Sequence, residues 1–279
     1  MRVFHLKKPK FALCLIISLL FIGGIVVNAI DSLQNLTNKV IIIDAGHGGI
    51  DPGANRQGLN EKDINLAIAL LLKEKLNAQG AKIILSRETD TELSKYCDEP
   101  KVKGRYNRDL AARLEMVDES DADMYISIHA NVSTNPRRRG PECFYYAKSQ
   151  SGKLLATAIQ QELGRITTAQ PNAHPGDYFV LRRNKVAAAL VEVGYITNPE
   201  ERTLLQSAEY QNKLADAIVK GIQTYYFKPV NDLQSKLYIF SLNLITNNAE
   251  HNASVIYFKM QNLGYCLIGY PVANFFKFT

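Results

Sequence analysis

Cysteine is scarce in this chain, and the few cysteines present argue against a thiolate metal centre. The sequence has 279 residues and 4 cysteines, with no CxxC spacing among them. Cys14 lies inside an apolar N-terminal segment, which leaves Cys97, Cys143 and Cys266. This odd number allows at most one internal disulfide, and the sequence does not reveal which pair would form it.

The chain also has little excess charge outside its N-terminus. The formal net charge is +6, but residues 1–29 contribute four basic and no acidic residues, so the rest carries about +2. The basic character therefore gives no support for nucleic-acid binding. Internal repeats and low-complexity tracts are absent, and 46% hydrophobic and 22% charged residues are typical of a globular protein with a core.

The N-terminus has the pattern of an export signal. Arg2, Lys7, Lys8 and Lys10 precede an uncharged, apolar run that extends from Phe11 to about Ile30. Small residues before position 30 offer a cleavage site after Ala29. The run is also long enough, at roughly 20 residues, to stay as a membrane anchor. Residues 1–30 are therefore predicted to be a signal peptide or an anchor, and the only membrane contact.

Apolar runs alternate with segments of helical periodicity along residues 38–227, which predicts an α/β fold. In the helix from 61 to about 79, Asn60 is the expected N-cap, and in a later helix Asn198 is the cap and Pro199 the first residue. The predicted strands are 40–43, 82–86, 124–129, 142–147, 178–181 and 187–193, and the predicted helices are 61–79, 105–119, 152–163, one opening at 198–201 and 208–226. Residues 228–279 form an extension of unassigned role, in which 254–259 and 266–270 are candidate strands.

Four residues carry the chemistry that the pattern predicts. His47 lies in a glycine-rich loop after a buried strand, Glu61 opens a helix, and His129 ends a strand. Two imidazoles and a carboxylate are a common ligand set of hydrolytic zinc sites, although the helical HExxH spacing is absent. Each residue alone also fits an ordinary role as a loop hydrogen-bonder or helix-dipole residue. Glu192, the one charged residue in an apolar run, needs a partner when buried, and a proton-transfer role would explain its position.

Several motifs together resemble the zinc-dependent N-acetylmuramoyl-L-alanine amidases (type 3). The motifs are VIIIDAGHGG at 40–49, DPGA at 51–54, EKDINL at 61–66, SRETDT at 86–91, MYISIHAN at 124–131 and VEVGYITNPEE at 191–201. The resemblance implies zinc bound by His47, Glu61 and His129, with Glu192 as the catalytic carboxylate. It implies hydrolysis of the amide between N-acetylmuramic acid and L-alanine in peptidoglycan. It also implies a single domain over 38–227, with a mixed, mostly parallel β-sheet flanked by helices on both faces.

A narrower resemblance points to the germination-specific members that act on spore cortex. This resemblance is based on TEL at 91–93, KGRYNRDL at 103–110 and Arg113. It implies an extracytoplasmic enzyme that works in muramic-δ-lactam formation with a peptidoglycan deacetylase or an activating lipoprotein. The chain departs from the family in lacking a proline shortly before Glu192, and it lacks the long insertion that blocks the site of division amidases. We therefore expect an open site.

Two other functions remain open from the sequence. A zinc peptidase that cuts wall peptides would use the same ligands, and a wall-binding or regulatory module would need no catalysis. Asn131 and Arg182 are candidate contacts for substrate, although both also fit ordinary loop positions. Product analysis separates the first alternative, and loss of turnover on replacing Glu192 separates the second.

Overall fold

A six-stranded mixed β-sheet organises the fold. The computed structural model describes residues 35–167 and 170–247, with side chains up to residue 227. Its strands are β1 (Val40–Ala45), β4 (Lys82–Leu85), β5 (Met124–Asn131), β6 (Glu142–Tyr145), β7 (His174–Pro175) and β8 (Ala187–Tyr195), and a separate hairpin holds β2 (Asn55–Arg56) and β3 (Leu59–Asn60). The sheet has the order β4-β1-β5-β8-β6-β7, in which β1, β4, β5 and β8 are parallel, whereas β6 runs antiparallel to β8.

Six α-helices and one 3₁₀ turn accompany these strands in the described residues. They are α1 (Glu61–Asn77), α2 (Arg105–Glu119), α3 (Gln150–Ile166), α4 (Phe179–Arg182), α5 (Pro199–Leu205) and α6 (Ala208–Asn247), with the 3₁₀ turn at Ser94–Tyr96. Within 35–167 and 170–247, no helix combines the length and apolar character that a membrane span requires.

Helices cover both faces of the sheet, as the family resemblance implied. Side chains alternate along each strand, so Ile41 and Ile43 lie in one apolar cluster, whereas Ile42 lies in another. The first cluster includes buried residues of α1, α3 and α6, and the second includes residues of α2 and α4. This arrangement confirms the α/β class and leaves the carboxyl ends of β1, β5 and β8 side by side.

One predicted strand is wrong. Residues 178–181 form no strand; Phe179–Arg182 is the short helix α4, in which the amides of Leu181 and Arg182 donate to the carbonyl of Tyr178. A four-residue apolar run fits a buried helical turn as well as a strand, and here α4 places Val180 and Leu181 in the cluster beside α2.

The helix boundaries confirm most predictions and correct two details. Asn198 caps α5, because its side chain accepts from the amides of Glu200 and Glu201. Asn60 precedes α1 as predicted, but its side chain makes no cap bond, since its oxygen accepts from Asn55 across the hairpin. The last helix continues well beyond the predicted end at 226.

The chain divides into two compact units, 1–228 and 229–279. The predicted N-terminal signal or anchor, the candidate strands at 254–259 and 266–270, and Cys266 lie outside the described residues. Cys97 and Cys143 are buried free thiols.

Candidate metal centre

The four predicted residues meet at the carboxyl edge of the central strands. His47 follows β1, His129 lies near the end of β5, and Glu192 lies in β8 directly opposite His129. Glu61 begins α1, whose first turn lies beside the same edge. This edge is where parallel α/β sheets gather their functional side chains.

His47, Glu61 and His129 form a group whose ligand atoms all lie within 4.8 Å of one another. The carboxylate oxygen Oε1 of Glu61 is 3.1 Å from Nε2 of His47 and 2.9 Å from Nδ1 of His129. Two imidazole nitrogens therefore face one carboxylate oxygen, and the three groups could hold a metal ion together.

Glycines permit this close approach. A Cβ on Gly46 would lie 2.3 Å from the ring of His129, and a Cβ on Gly53 would lie 2.6 Å from the Glu61 carboxylate. Both distances are far below van der Waals contact, so only glycine fits at either position while the group keeps its geometry. Packing of the site therefore requires glycine at 46, in the glycine-rich loop after β1, and at 53.

Hydrogen bonds orient the members of the group. Nδ1 of His47 lies 2.8 Å from the carboxylate of Asp51, which leaves Nε2 facing Glu61. The backbone amides of Ala54 and Ala130 donate to the two oxygens of the Glu61 carboxylate. A carboxylate behind a ligating imidazole is the common outer support of metal-binding histidines, so the contact with Asp51 fits a metal role for His47.

The group is strongly coupled electrostatically. Burial opposes the charge on Glu61, but hydrogen bonds from His129 and His47 outweigh it and hold the pKa of Glu61 well below its usual range. Burial likewise opposes the charge on His47, yet the hydrogen bonds with Glu61 and Asp51 raise the pKa of His47 to about 9. A cation placed among these groups would take over the role of the protons on the imidazoles.

Glu192 lines the same cavity, which has a volume of about 290 Å³. The side chain is buried, and its Oε2 atom has no hydrogen-bond partner in the structure. Burial raises the pKa of Glu192 to about 7, with the charge on Glu61 adding to the effect and that on His129 opposing it. A buried carboxyl that titrates near neutrality suits proton transfer.

The two candidate substrate contacts differ in position. Asn131 lines the cavity, where its Nδ2 lies 3.3 Å from Oε2 of Glu142. Arg182 pairs with Asp177 on the exposed side of α4 and is not among the residues that line the described cavity.

Aromatic and apolar side chains that were not predicted as site residues rim the cavity. Tyr106 is 62% exposed, Val132 50% and Tyr178 37%. All three line the cavity together with the metal-ligand group. Tyr178 lay in the segment predicted as a strand, and no periodicity in the sequence marks these positions as neighbours.

The donor set fits a zinc ion. Two imidazoles and one carboxylate occur in hydrolytic zinc centres, which keep a further position for water or substrate. The cavity beside the group provides room for both, and the unpartnered oxygen of Glu192 provides a proton acceptor.

Comparison with known proteins gives a consistent result. The family model described as N-acetylmuramoyl-L-alanine amidase matches residues 41–224. The germination-specific N-acetylmuramoyl-L-alanine amidase of Bacillus subtilis is 39% identical over 198 residues, covering 68% of this chain and 81% of the relative. The N-acetylmuramoyl-L-alanine amidase LytC of the same organism is 34% identical, covering 70% of this chain and 37% of LytC.

A solved structure shows the same fold. The CwlD amidase from Clostridioides difficile, determined in complex with the GerS lipoprotein, matches with a TM-score of 0.63 and 41% identity. The match covers 68% of this chain and 98% of the CwlD chain.

Proposed function

We propose a zinc-dependent mechanism for this chain, which belongs to the N-acetylmuramoyl-L-alanine amidase family and hydrolyses the amide between N-acetylmuramic acid and L-alanine. The catalytic domain is residues 38–227, and 228–279 is an extension. The observation that carries the proposal is the convergence of His47, Glu61 and His129 within 4.8 Å beside a buried, unpartnered Glu192 oxygen.

The three residues of the group would hold zinc. A bound zinc ion supplies Lewis acidity, which polarises the amide carbonyl and makes water a stronger acid. Asp51 keeps the His47 ring in the orientation that directs Nε2 into the site. The backbone donors on Glu61 keep its carboxylate in place, so the chain presents a preformed ligand set.

Glu192 would move the proton. Its Oε2 accepts a proton from the attacking water while the water oxygen bonds to the amide carbon. When the carbon–nitrogen bond breaks, the same carboxyl donates that proton to the departing nitrogen of L-alanine. A pKa of about 7 suits both transfers, since the group gains and loses a proton easily near neutral pH.

The exposed rim supports a glycopeptide substrate. Ring faces such as those of Tyr106 and Tyr178 provide apolar surface with a polar tip, which suits sugar rings. We assign Asn131 to substrate positioning because it lines the cavity beside Glu142. Arg182 would act further out, by attracting the carboxylates of stem peptides.

The biological setting we propose is extracytoplasmic, in the spore cortex. The basic and apolar pattern of residues 1–30 supports export. The similarity to a germination-specific relative supports cortex peptidoglycan as substrate. The solved CwlD amidase is in complex with the GerS lipoprotein, which supports a lipoprotein partner here, and a deacetylase would complete lactam formation.

The test is incubation of the full chain with purified peptidoglycan, followed by mass analysis of the products. We expect intact stem peptides that begin with a free L-alanine amine, and no release after chelation until zinc is restored. Products cut within the stem peptide would instead identify a zinc peptidase.

The catalytic role of Glu192 is tested with Glu192→Gln, which keeps the size of the side chain but removes the proton acceptor. We expect turnover to fall about 10²–10⁴-fold while zinc content stays at the wild-type level. Equal activity of the two proteins would contradict the catalytic role of Glu192. A wild-type protein that binds peptidoglycan without releasing peptides would identify a binding module.

A further inference from the structure

Residues 45–47 form the loop that carries His47, and the backbone carbonyls of this loop hold it in place. His47 has a φ of 62°, a region that residues other than glycine rarely adopt. Such a conformation is energetically unfavourable and persists only where its surroundings fix it. The carbonyls of Ala45, Gly46 and His47 all accept hydrogen bonds from arginine side chains.

Arg113, from α2, contacts both ends of this loop. Its Nη1 donates to the carbonyl of Ala45 at 3.1 Å, and its Nη2 donates to the carbonyl of His47 at 2.9 Å. Nη1 also pairs with Asp44, and Nε pairs with Asp109 at 2.8 Å. The side chain is only 2% exposed, so these contacts are made out of water.

Arg87, which follows β4, holds the loop from another side. Its Nε donates to the carbonyl of Ala45 at 2.9 Å, and its Nη2 donates to the carbonyl of Gly46 at 3.1 Å. Nη2 also donates to the carbonyl of Lys62 in the first turn of α1, directly after Glu61. One side chain therefore connects the loop of His47 to the helix turn of Glu61.

The charges of the two guanidiniums need compensation beside a cation site. Asp44 and Asp109 both contact Arg113, and Tyr125 and Ser127 donate to Asp44 in turn. Arg87 is 3% exposed and lies near Asp44 and Asp90. Acidic partners thus offset the positive charge, so the arginines hold the loop with a smaller electrostatic penalty for a bound cation.

We propose that Arg113 and Arg87 are positioning residues that fix the backbone of residues 45–47, and thereby place the His47 ring for metal binding. This inference rests on the proposed metal site. A guanidinium has five N–H donors in a rigid fork, whereas a lysine ammonium is a single point charge. Lysine at either position keeps the charge but cannot reach the same carbonyls together.

The test compares Arg113→Lys and Arg87→Lys with wild type in the full chain. Co²⁺ is titrated into metal-free protein, and both the dissociation constant and the ligand-field absorption spectrum are recorded. We expect Co²⁺ affinity to fall about 10- to 100-fold in each variant, as for other groups that orient metal ligands, together with a changed spectrum. Thermal unfolding of the metal-free proteins records the loss of stability separately.

Arg108→Lys is the matched control. Arg108 lies on the same helix, but it donates to the carbonyls of Ser94 and Cys97, away from the metal loop. We expect this variant to lose stability but to keep the wild-type Co²⁺ affinity and spectrum. If Arg113→Lys does not fold, Arg87→Lys decides the question, because its direct contacts are with carbonyls rather than with a buried carboxylate.

The outcomes test the metal site and the positioning role of the arginines separately. Wild-type protein that takes up no Co²⁺ or Zn²⁺ would overturn the proposed metal site itself. Wild-type protein that binds metal while both arginine variants match it, or match Arg108→Lys, would overturn only the positioning role. Weaker binding in both variants, with unchanged binding in Arg108→Lys, supports it.

Discussion

Gly46→Ala should weaken metal binding strongly while leaving the fold largely intact. The added Cβ would lie 2.3 Å from Cε1 and Nε2 of His129. Carbon atoms at rest are about 3.5 Å or more apart, so the ring must retreat by roughly 1.2 Å. Metal–ligand distances tolerate about 0.2 Å, so His129 would leave the ligand set.

The expected size of the effect follows from this displacement. Losing a ligand should weaken zinc binding more than losing an orienting partner, hence by at least ~100-fold. Overpacking of this kind costs about 1–3 kcal/mol, which lowers the melting temperature by about 2–12 °C in a domain of this size. Zinc content after dialysis, calorimetric affinity and thermal unfolding are the measurements.

Gly58→Ala is the matched control. Gly58 has a φ of +84°, and a Cβ there would meet no atom within 4 Å. Alanine at this φ costs about 1–2 kcal/mol but displaces nothing. We expect reduced stability with full zinc binding. Wild-type zinc affinity in Gly46→Ala would refute the steric reasoning, because the His129 ring would then not be confined by Gly46.

Three further predictions concern stability. Asp44→Asn breaks a buried ion pair and should cost about 3–5 kcal/mol at pH 7. Burial raises the pKa of Asp44, but the charge on Arg113 outweighs this effect and holds the pKa far below 3.8. Because the wild-type protein loses the stabilisation from the ionised carboxylate only in acid, the difference in melting temperature between variant and wild type should narrow only below about pH 4. Asn198→Ala removes the cap of α5 and should cost about 1 kcal/mol in urea unfolding. Gln160→Leu removes three hydrogen bonds to backbone groups and should cost about 2–4 kcal/mol by the same measurement, whereas an unchanged midpoint would contradict its role.

The predictability of the fold differed between long and short segments. The buried strand from Val40 and the long helix from Glu61 were predicted from period and apolar content, because tertiary packing there follows the local pattern. The segment at 178–181 was predicted wrongly as a strand, since four apolar residues fit a strand or a helical turn equally. The cap at Asn60 failed for a different reason, because its side chain is taken by Asn55 in a hairpin that the sequence pattern did not reveal.

The site shows the same limit. The motifs shared with the amidase family implied His47, Glu61 and His129 as ligands, although each alone also fits an ordinary role, and the structure brings the three together. The arginines that hold the loop were not recognised as its support, since Arg113 lies 68 residues from Ala45 in the chain. At the loop their partners are backbone carbonyls, which every residue has, so no side-chain pattern marks such a contact.

The ligand group also has a consequence for cohesion of the molecule. His47 follows one central strand, His129 lies in its neighbour 82 positions later, and Glu61 begins a helix that packs on both strands. A bound cation would therefore cross-link three distant stretches of chain and favour the native state by mass action. Free zinc at 100 times the dissociation constant adds about 2.7 kcal/mol, so a chelated sample should melt several degrees lower even without substrate.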